Sequence, residues 1–272
     1  MPEAMTSPTT TPERIEALSY FFPAHDEAEN IEALVEEALV ELALLAERFE
    51  IICVDDGSTD GTGDLADRLA AAHPGVIRVV HHSVNLGYGA AVRSGLAAAR
   101  YPLICFTDGD RQFRLADLAR LTDRLGEGDS DGVIPDVVAG YRIRRADPAV
   151  RLVYARAYRA ALRLFFGLKV RDPDCACKLF RREALEDVRA ESGGAFLSAE
   201  LLIKISERGG VIVEQGVPHY PRTAGQASGA DPRVVLRAVR DFWWLRLRLW
   251  ANRGAALRRG QSILVDEGPD QS

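Results

Sequence analysis

The chain is 272 residues long, with 47% hydrophobic and 7% aromatic residues, enough to bury a full core as one large domain or two fused halves. A net charge of -6 argues against a nucleic-acid partner, because binding a phosphate backbone wants a broad basic surface, and no run of 18 apolar residues marks a membrane span. Cys53 and Cys105 lie in apolar runs and Cys175-Ala176-Cys177 is too tight for a CxxC pair, so the four cysteines point to a reducing, cytoplasmic compartment rather than a disulfide framework.

Residues 1–15 carry neither an apolar signal core nor an Arg-rich amphipathic pattern and read as a disordered tail. Leu18 to Pro23 is a short apolar run, predicted as the first strand. Ile31, Leu34, Val35, Ala38, Leu39 and Leu42 then recur at helical spacing with acids between them. Glu50 to Val54 forms a second strand, stopped by Asp55-Asp56-Gly57-Ser58, after which Thr59-Asp60-Gly61-Thr62 caps a helix with Asp60 and Asp64 at its positive end. Val76 to His81 is a third strand, Gly89 to Arg100 an Ala-rich helix, and Leu103 to Thr107 a fourth strand running into Asp108. This alternation implies a parallel α/β sheet, whose ligands sit beyond the carboxyl ends of the strands. Glu27, Asp56 and Asp108 all fall there.

After Gly126 the rhythm loosens. Val137 to Gly140 is read as a strand, Ala149 to Phe166 as a helix, Lys178 to Phe180 as a strand and Ala199 to Arg208 as a helix, with Val211 to Val217 closing the sheet. The stretch Thr223 to Asp231, rich in Gly, Ala and Ser, is expected to be a mobile loop before a last helical segment.

Asp108 and Asp110 flank a glycine at a strand end, presenting two hard oxygen ligands on a backbone that a phosphate can approach closely. That arrangement suits Mg²⁺ or Mn²⁺ shared with a diphosphate. A lone D-x-D is equally a solvated turn. What distinguishes this one is its company, the Asp55 to Thr62 stretch before it and Asn85-Leu86-Gly87-Tyr88-Gly89-Ala90 opening the third helix.

Five segments together resemble a family 2 glycosyltransferase of the GT-A fold, in the polyprenol-phosphate (dolichol-phosphate mannose synthase-like) branch. They are Phe22 to Glu27, Val54 to Ser58, Asn85 to Gly89, Phe106 to Phe113 and Asp172 to Arg182. The resemblance implies a mostly parallel Rossmann-like sheet flanked by helices. Residues 16–225 would form one domain, with a nucleotide-binding half at 16–110 and an acceptor-binding half at 111–225. A mobile loop and a basic, aromatic helical segment would follow at 226–260, and a disordered tail at 261–272.

By that resemblance Pro23, His25, Glu27, Val54 and Asp56 line the nucleotide pocket, Asp56 accepting a hydrogen from base or ribose and Glu27 one from a ribose hydroxyl. Asp108, Asp110 and Gln112 hold the metal, with Gly109 beside the donor phosphates, and Asp110 belongs to the catalytic centre. Arg142 is placed at the donor or acceptor phosphate, and Arg222 at the donor diphosphate as a loop orders. Arg144, Arg151 and Lys178 would accompany Arg142 around the acceptor. Glu200 stands where the family has an acid, the general base that a hydroxyl acceptor would need. Four positions depart from the usual pattern: His25 replaces a frequent tyrosine, Arg111 a small residue, Cys177 an aromatic and Ser228 a lysine.

Charge is polarised along the chain. Residues 137–182 hold 12 Lys or Arg against 3 Asp, which fits an anionic acceptor. Residues 231–260 hold 8 Arg and 2 Asp around Phe242-Trp243-Trp244 and Trp250, a composition suited either to a membrane interface or to packing on the domain. The expected activity is inverting hexosyl transfer from GDP-mannose or UDP-glucose to a polyprenyl phosphate, on the inner face of the cytoplasmic membrane, with a membrane-protein partner or a homo-oligomer left open. The alternatives are transfer to a hydroxyl of a polysaccharide, glycan or small molecule, and a non-catalytic nucleotide-sugar binding protein. A Rossmann oxidoreductase is set aside, since Pro23-Ala24-His25-Asp26 stands where GxGxxG should follow the first strand.

Overall fold

The computed structural model describes residues 14–127, 132–143, 149–222 and 232–263; the side chains of 149–153, 232–233 and 252–263 lie outside that description. In chain order the elements are β1 (Ile15–Ala24), α1 (Ala28–Leu45), β2 (Ala46–Asp55), α2 (Thr62–Ala72), β3 (Ile77–His81), α3 (Tyr88–Ala98), β4 (Leu103–Phe106), a 3₁₀ turn (Leu115–Asp117), α4 (Leu118–Glu127), β5 (Val137–Arg142), α5 (Ala149–Phe166), β6 (Lys178–Arg181), α6 (Arg182–Leu185), α7 (Leu197–Glu207), β7 (Ile212–Val217) and α8 (Pro232–Ile263).

The first strand is apolar on both faces because helices cover both, the condition that turns strands of parallel sheets into continuous hydrophobic runs. Tyr20, Phe21 and Phe22 have no solvent exposure, and Phe21 stacks on Phe106 with centroids 5.1 Å apart. Burial of each such ring contributes roughly 1.5–3 kcal/mol. On α1 the residues Ile31, Leu34, Val35, Ala38 and Leu42 are buried, the stripe expected from their spacing.

Seven strands form one sheet in the order β3-β2-β1-β4-β6-β5-β7. β3, β2, β1 and β4 run parallel, whereas β6 is antiparallel to both β4 and β5, and β5 and β7 are parallel again. The expectation of a mostly parallel sheet flanked by helices is met, with β6 as the reversed strand. After β1 the chain builds outward to β2 and β3, then returns across β1 to lay down β4. The crevice between the carboxyl ends of β1 and β4 is therefore the switch point of the sheet, where open α/β folds bind ligands. Pro23 ends one of these strands and Asp108 follows the other.

Several boundaries differ from expectation. β1 and β2 each run to ten residues, longer than their apolar runs, because the extra residues pair with one another from Ile15 and Ala46 onward. α7 begins at Leu197 and α8 reaches Ile263. The loop 223–231 and the tails at 1–13 and 264–272 lie outside the described residues.

Candidate active site

The loops after β1, β2 and β3 meet at the carboxyl edge of the sheet beside the switch point, and the acids of the Asp55 to Thr62 stretch hold them to one another. Asp55 Oδ1 accepts the Ser58 amide at 3.0 Å, and Oδ2 meets His81 Nδ1 at 3.0 Å. Burial works against its charge, but Ser58 and His81 hold the Asp55 carboxyl below its ordinary value. Asp60 accepts from the amides of Ala28 and Thr62, tying the β1–α1 loop to the start of α2 and satisfying helix-end N–H groups. Asp26 accepts the Thr59 amide at 2.8 Å, and the Glu27 amide donates to Thr62 Oγ1 at 2.9 Å. Gly57 makes this packing possible: its φ is +68°, and a Cβ there would lie 2.3 Å from the Val84 carbonyl carbon.

Asp56 serves the third loop. Its buried carboxylate accepts the amides of Leu86 at 2.9 Å and Gly87 at 2.8 Å and meets His82 Nδ1 at 2.6 Å, while His82 Nε2 lies 2.8 Å from Ser94 Oγ. Asp56 thus fixes the Asn85 to Gly89 segment and the N-terminus of α3. Val54 has no exposure, so its side chain belongs to the core rather than to a pocket wall. Pro23 is half-buried at the end of β1, and His25 is exposed, with Nε2 3.6 Å from Asp26.

A second set of acids is arranged differently. Asp110 is only 4% exposed; its Oδ1 accepts the Gln112 amide at 3.1 Å and its Oδ2 lies 2.6 Å from Arg222 Nη2. Arg222 Nη1 also stands 3.7 Å from Glu27 Oε1, so one guanidinium bridges β1–α1 and the motif after β4. Burial raises the Glu27 carboxyl above its ordinary value, against the pull of Asn30 and Arg222. Asp108 is hydrogen-bonded to Tyr88, yet its Oδ1 is buried and accepts no hydrogen bond. Burial and the neighbouring Asp110 push its carboxyl up to about 6. Gly109 lies against the end of β1, where a Cβ would stand 2.8 Å from the Pro23 carbonyl oxygen. The buried, unsatisfied carboxylate oxygen of Asp108 and the cation already held by Asp110 fit a hard divalent ion. Among the described residues no group of three His, Cys, Asp or Glu side chains could hold a metal, so such an ion would need oxygens from a ligand.

Around the motif, Gln112 pairs with the chain at Tyr220: its carbonyl accepts the Tyr220 amide at 2.9 Å and its Nε2 donates to the Tyr220 carbonyl at 3.2 Å. Arg111 adopts φ +58°, a conformation that costs a non-glycine residue roughly 1–2 kcal/mol. Its guanidinium reaches Glu37 on α1 at 3.8 Å rather than a carboxylate of the motif, and Glu37 also accepts the Leu115 amide at 2.7 Å. Arg111 therefore fastens the 111–115 turn to α1.

These loops, strands and acids match a known pattern. The family model described as "Glycosyl transferase family 2" matches residues 19–189. The chain belongs to glycosyltransferase family 2. It is 31% identical over 261 residues to the glycosyltransferase AglD of Haloferax volcanii, covering 91% of this chain but only 40% of that protein's length. It is 29% identical over 240 residues to the polyprenol monophosphomannose synthase of Mycolicibacterium smegmatis, covering 85% of this chain and 88% of the relative. A solved glucosyl-3-phosphoglycerate synthase of Mycobacterium tuberculosis, in complex with Mn²⁺, UDP-glucose and phosphoglyceric acid, superposes with a TM-score of 0.63 at 23% identity, covering 84% of this chain and 80% of that one. Both the family and the GT-A fold agree with the expectation from sequence.

In the second half of this family 2 domain several of the expected site residues are enclosed by the protein. Glu200 has no exposure: it accepts the amides of Glu191 at 3.0 Å and Ser192 at 2.8 Å and pairs with Lys204 one helical turn on. These bonds make Glu200 an anchor for the 191–192 loop. Lys178 is likewise fully buried, its ammonium donating to the carbonyls of Pro173 and Cys175 and to Ser198 Oγ, and burial lowers its pKa. It shapes the 172–177 loop from within. Arg142 makes a two-point contact with Asp172, through Nε at 2.6 Å and Nη2 at 2.7 Å, and this pairing raises its pKa although burial opposes it. Arg144 lies outside the described residues, as do Ser228 and the side chain of Arg151.

Four residues escaped the sequence reading of this site: Tyr88, His82, Asp172 and Glu37. Tyr88, between two glycines of the Asn85 to Gly89 segment, and Asp172, at the head of the Asp172 to Arg182 segment, were legible as candidates; nothing local marks His82 or Glu37.

Proposed function

We propose that this chain is an inverting, metal-dependent hexosyltransferase that moves a sugar from a nucleotide diphosphate donor, GDP-mannose or UDP-glucose, to a polyprenyl phosphate. The observation that carries the choice of acceptor is the enclosure of Glu200, because a hydroxyl acceptor needs a base and a phosphate acceptor, already anionic near pH 7, does not. The excess of Lys and Arg over residues 137–182 and the similarity to a polyprenol monophosphomannose synthase support the same reading.

The nucleotide lies across the β1 and β2 ends, with Pro23, His25 and Glu27 at its base and ribose and the Asp56-fixed loop beneath. Asp108, Asp110 and Gln112 would hold Mg²⁺ or Mn²⁺, which supplies charge neutralisation for the departing diphosphate. Arg222 is the cation of the chain beside those phosphates, and Arg142 faces the acceptor phosphate from its seat on Asp172. The acceptor oxygen attacks C1 from the face opposite the leaving group; the C1–O bond to the nucleoside diphosphate breaks as the new C1–O bond forms, inverting C1. No proton changes hands.

The C-terminal helix supports a lipid-bound acceptor. Phe242 and Leu245 are buried, Phe242 packing on Phe165, Phe166 and Phe196, whereas Leu236, Val239, Trp243, Leu247 and Trp250 are exposed along the outer face of α8. Asp241 is the one acid among eight arginines in the helix, and it is buried. Indole rings and arginines without exposed carboxylates suit the interface of an anionic bilayer, while no helix of the described residues is long and apolar enough to cross one.

The test is thermal-shift screening of nucleotide sugars with Mn²⁺ and Mg²⁺. A ligand at 100 times its Kd stabilises by about 2.7 kcal/mol, so one donor class should raise the melting temperature by several degrees only when metal is present. No shift with any donor would sink the reading.

A further inference from the structure

We propose that Asp174 is a specificity-determining residue that accepts hydrogen bonds from hydroxyls of the transferred hexose, on a turn held rigid from beneath by the buried Lys178. This role rests on the hexosyltransferase reading of the site and adds to it the group that tells one hexose from another.

Asp172-Pro173-Asp174-Cys175 forms a β-turn closed by the Cys175 amide, which donates to the Asp172 carbonyl at 3.1 Å, with proline at the second position, where its fixed φ is favoured. Asp172, Pro173 and Cys175 are buried, and of the four only Asp174 is exposed. The buried members are gripped from inside. Lys178, with no exposure, donates to the Pro173 carbonyl at 3.0 Å, to the Cys175 carbonyl and to Ser198 Oγ at 2.9 Å, while Arg142 holds the Asp172 carboxylate. A buried ammonium is tolerated only where such bonds replace water, so lysine and turn fix each other. Asp174 is thereby presented to solvent from a backbone clamped on both sides of it, the preorganisation that recognition of a ligand needs.

The turn stands between the two ends of the reaction. Tyr88, the phenol bonded to Asp108, and Arg142 are both near enough to Asp174 to feel its charge, and the Tyr158 hydroxyl on α5 donates to the Asp174 carboxylate. A hexose moving from a diphosphate at Asp108 and Asp110 to a phosphate at Arg142 passes between those groups, and its hydroxyls need acceptors there. A carboxylate has two oxygens with about four acceptor sites, so Asp174 can keep Tyr158 and its other interactions and still receive a hydroxyl. A charged acceptor discriminates strongly, because an epimer that turns a hydroxyl away leaves the carboxylate without the bond its desolvation requires.

The experiment is calorimetric titration of the full chain, in Mn²⁺, with GDP-mannose and GDP and with UDP-glucose and UDP, for wild type, Asp174→Ala, Asp174→Asn and Tyr158→Phe. For the pair that wild type binds, Asp174→Ala should bind the nucleotide sugar roughly tenfold or more weakly, and the bare nucleoside diphosphate within about twofold of wild type. Asp174→Asn, which keeps an acceptor oxygen and suits the turn, should fall between the two. Tyr158→Phe, which removes only the bond from α5, should stay within about threefold for both ligands. In transfer assays Asp174→Ala should also lose most of the wild-type preference between epimeric hexoses on the same nucleotide. A circular dichroism spectrum matching wild type verifies that each variant is folded. Unchanged nucleotide-sugar affinity in folded Asp174→Ala, an equal loss for nucleotide sugar and bare diphosphate, or the same loss in Tyr158→Phe would overturn the role of Asp174 while leaving the transferase reading standing. Failure of wild type to bind any of these ligands would overturn both.

Discussion

Arg142 and Asp172 face each other through two parallel hydrogen bonds of 2.6 and 2.7 Å, joining the end of β5 to the loop that leads into β6. Asp172 holds the guanidinium in one orientation, and under the proposed function it would meet an acceptor phosphate without first losing side-chain freedom. Loss of one partner from such a largely buried pair typically costs 3–5 kcal/mol. Asp172→Ala should therefore lower the melting temperature by several degrees and raise the KM for a phosphate acceptor more than it lowers kcat. A double variant, Arg142→Ala with Asp172→Ala, should be less destabilised than the sum of the singles, which denaturant titration of the four proteins measures.

Glu200 should matter to folding and not to chemistry. Glu200→Gln loses the charge that Lys204 and two amides share, and its thermal midpoint should fall, at roughly 2–4 °C for each kcal/mol lost in a chain of this size. Its kcat at a permissive temperature should stay within about threefold of wild type. A fall of a hundredfold or more, the signature of a missing general base, would contradict the assignment.

His81 gives the fold a pH dependence of known sign. Its ring nitrogens meet Asp55 and Asp67, each at 3.0 Å, and those bonds raise its pKa above the ordinary histidine value of 6.5. The protonated ring binds better in the folded state, so its contribution is fully present below 6.5 and is lost as pH rises through the higher folded value. The melting temperature should decline across that interval, and His81→Gln should flatten the decline. The ring is partly exposed, so salt should weaken the effect.

The outer stripe of α8 should hold the protein to anionic membranes. Leu247→Glu with Trp250→Glu should abolish co-sedimentation with vesicles of phosphatidylglycerol and leave the far-ultraviolet circular dichroism unchanged, because both side chains are exposed. Binding by wild type should fall with added salt. Equal sedimentation of the two proteins would contradict a lipid-facing role.

How legible the site was in the sequence depends on how local its causes are. The carboxyl ends of β1, β2 and β4 were visible, because a hydrophobic run stopped by Asp-Asp-Gly-Ser or Asp-Gly-Asp is a local pattern. The reversed direction of β6 was not, since Lys178 to Arg181 has the same alternation whichever way it runs. The burial of Lys178 and Glu200 was hidden for a related reason: their charges are compensated by Pro173, Cys175 and Ser198 in one case, and by the amides of Glu191 and Ser192 in the other, partners fixed only once the loops have packed. Asp56 and Arg111 were seen as site residues, but their partners, Gly87 and Glu37, come from segments 31 and 74 positions away.

Transfer of a hexose to a polyprenyl phosphate is measured most directly with radiolabelled sugar from GDP-mannose and UDP-glucose, offered to polyprenyl phosphate in parallel with hydroxyl acceptors. An organic-extractable, acid-labile product should form that requires the lipid phosphate and Mn²⁺ or Mg²⁺ and falls by at least a hundredfold in Asp110→Ala. Labelling of hydroxyl acceptors with none of the lipid phosphate, or equal transfer by Asp110→Ala, would contradict it.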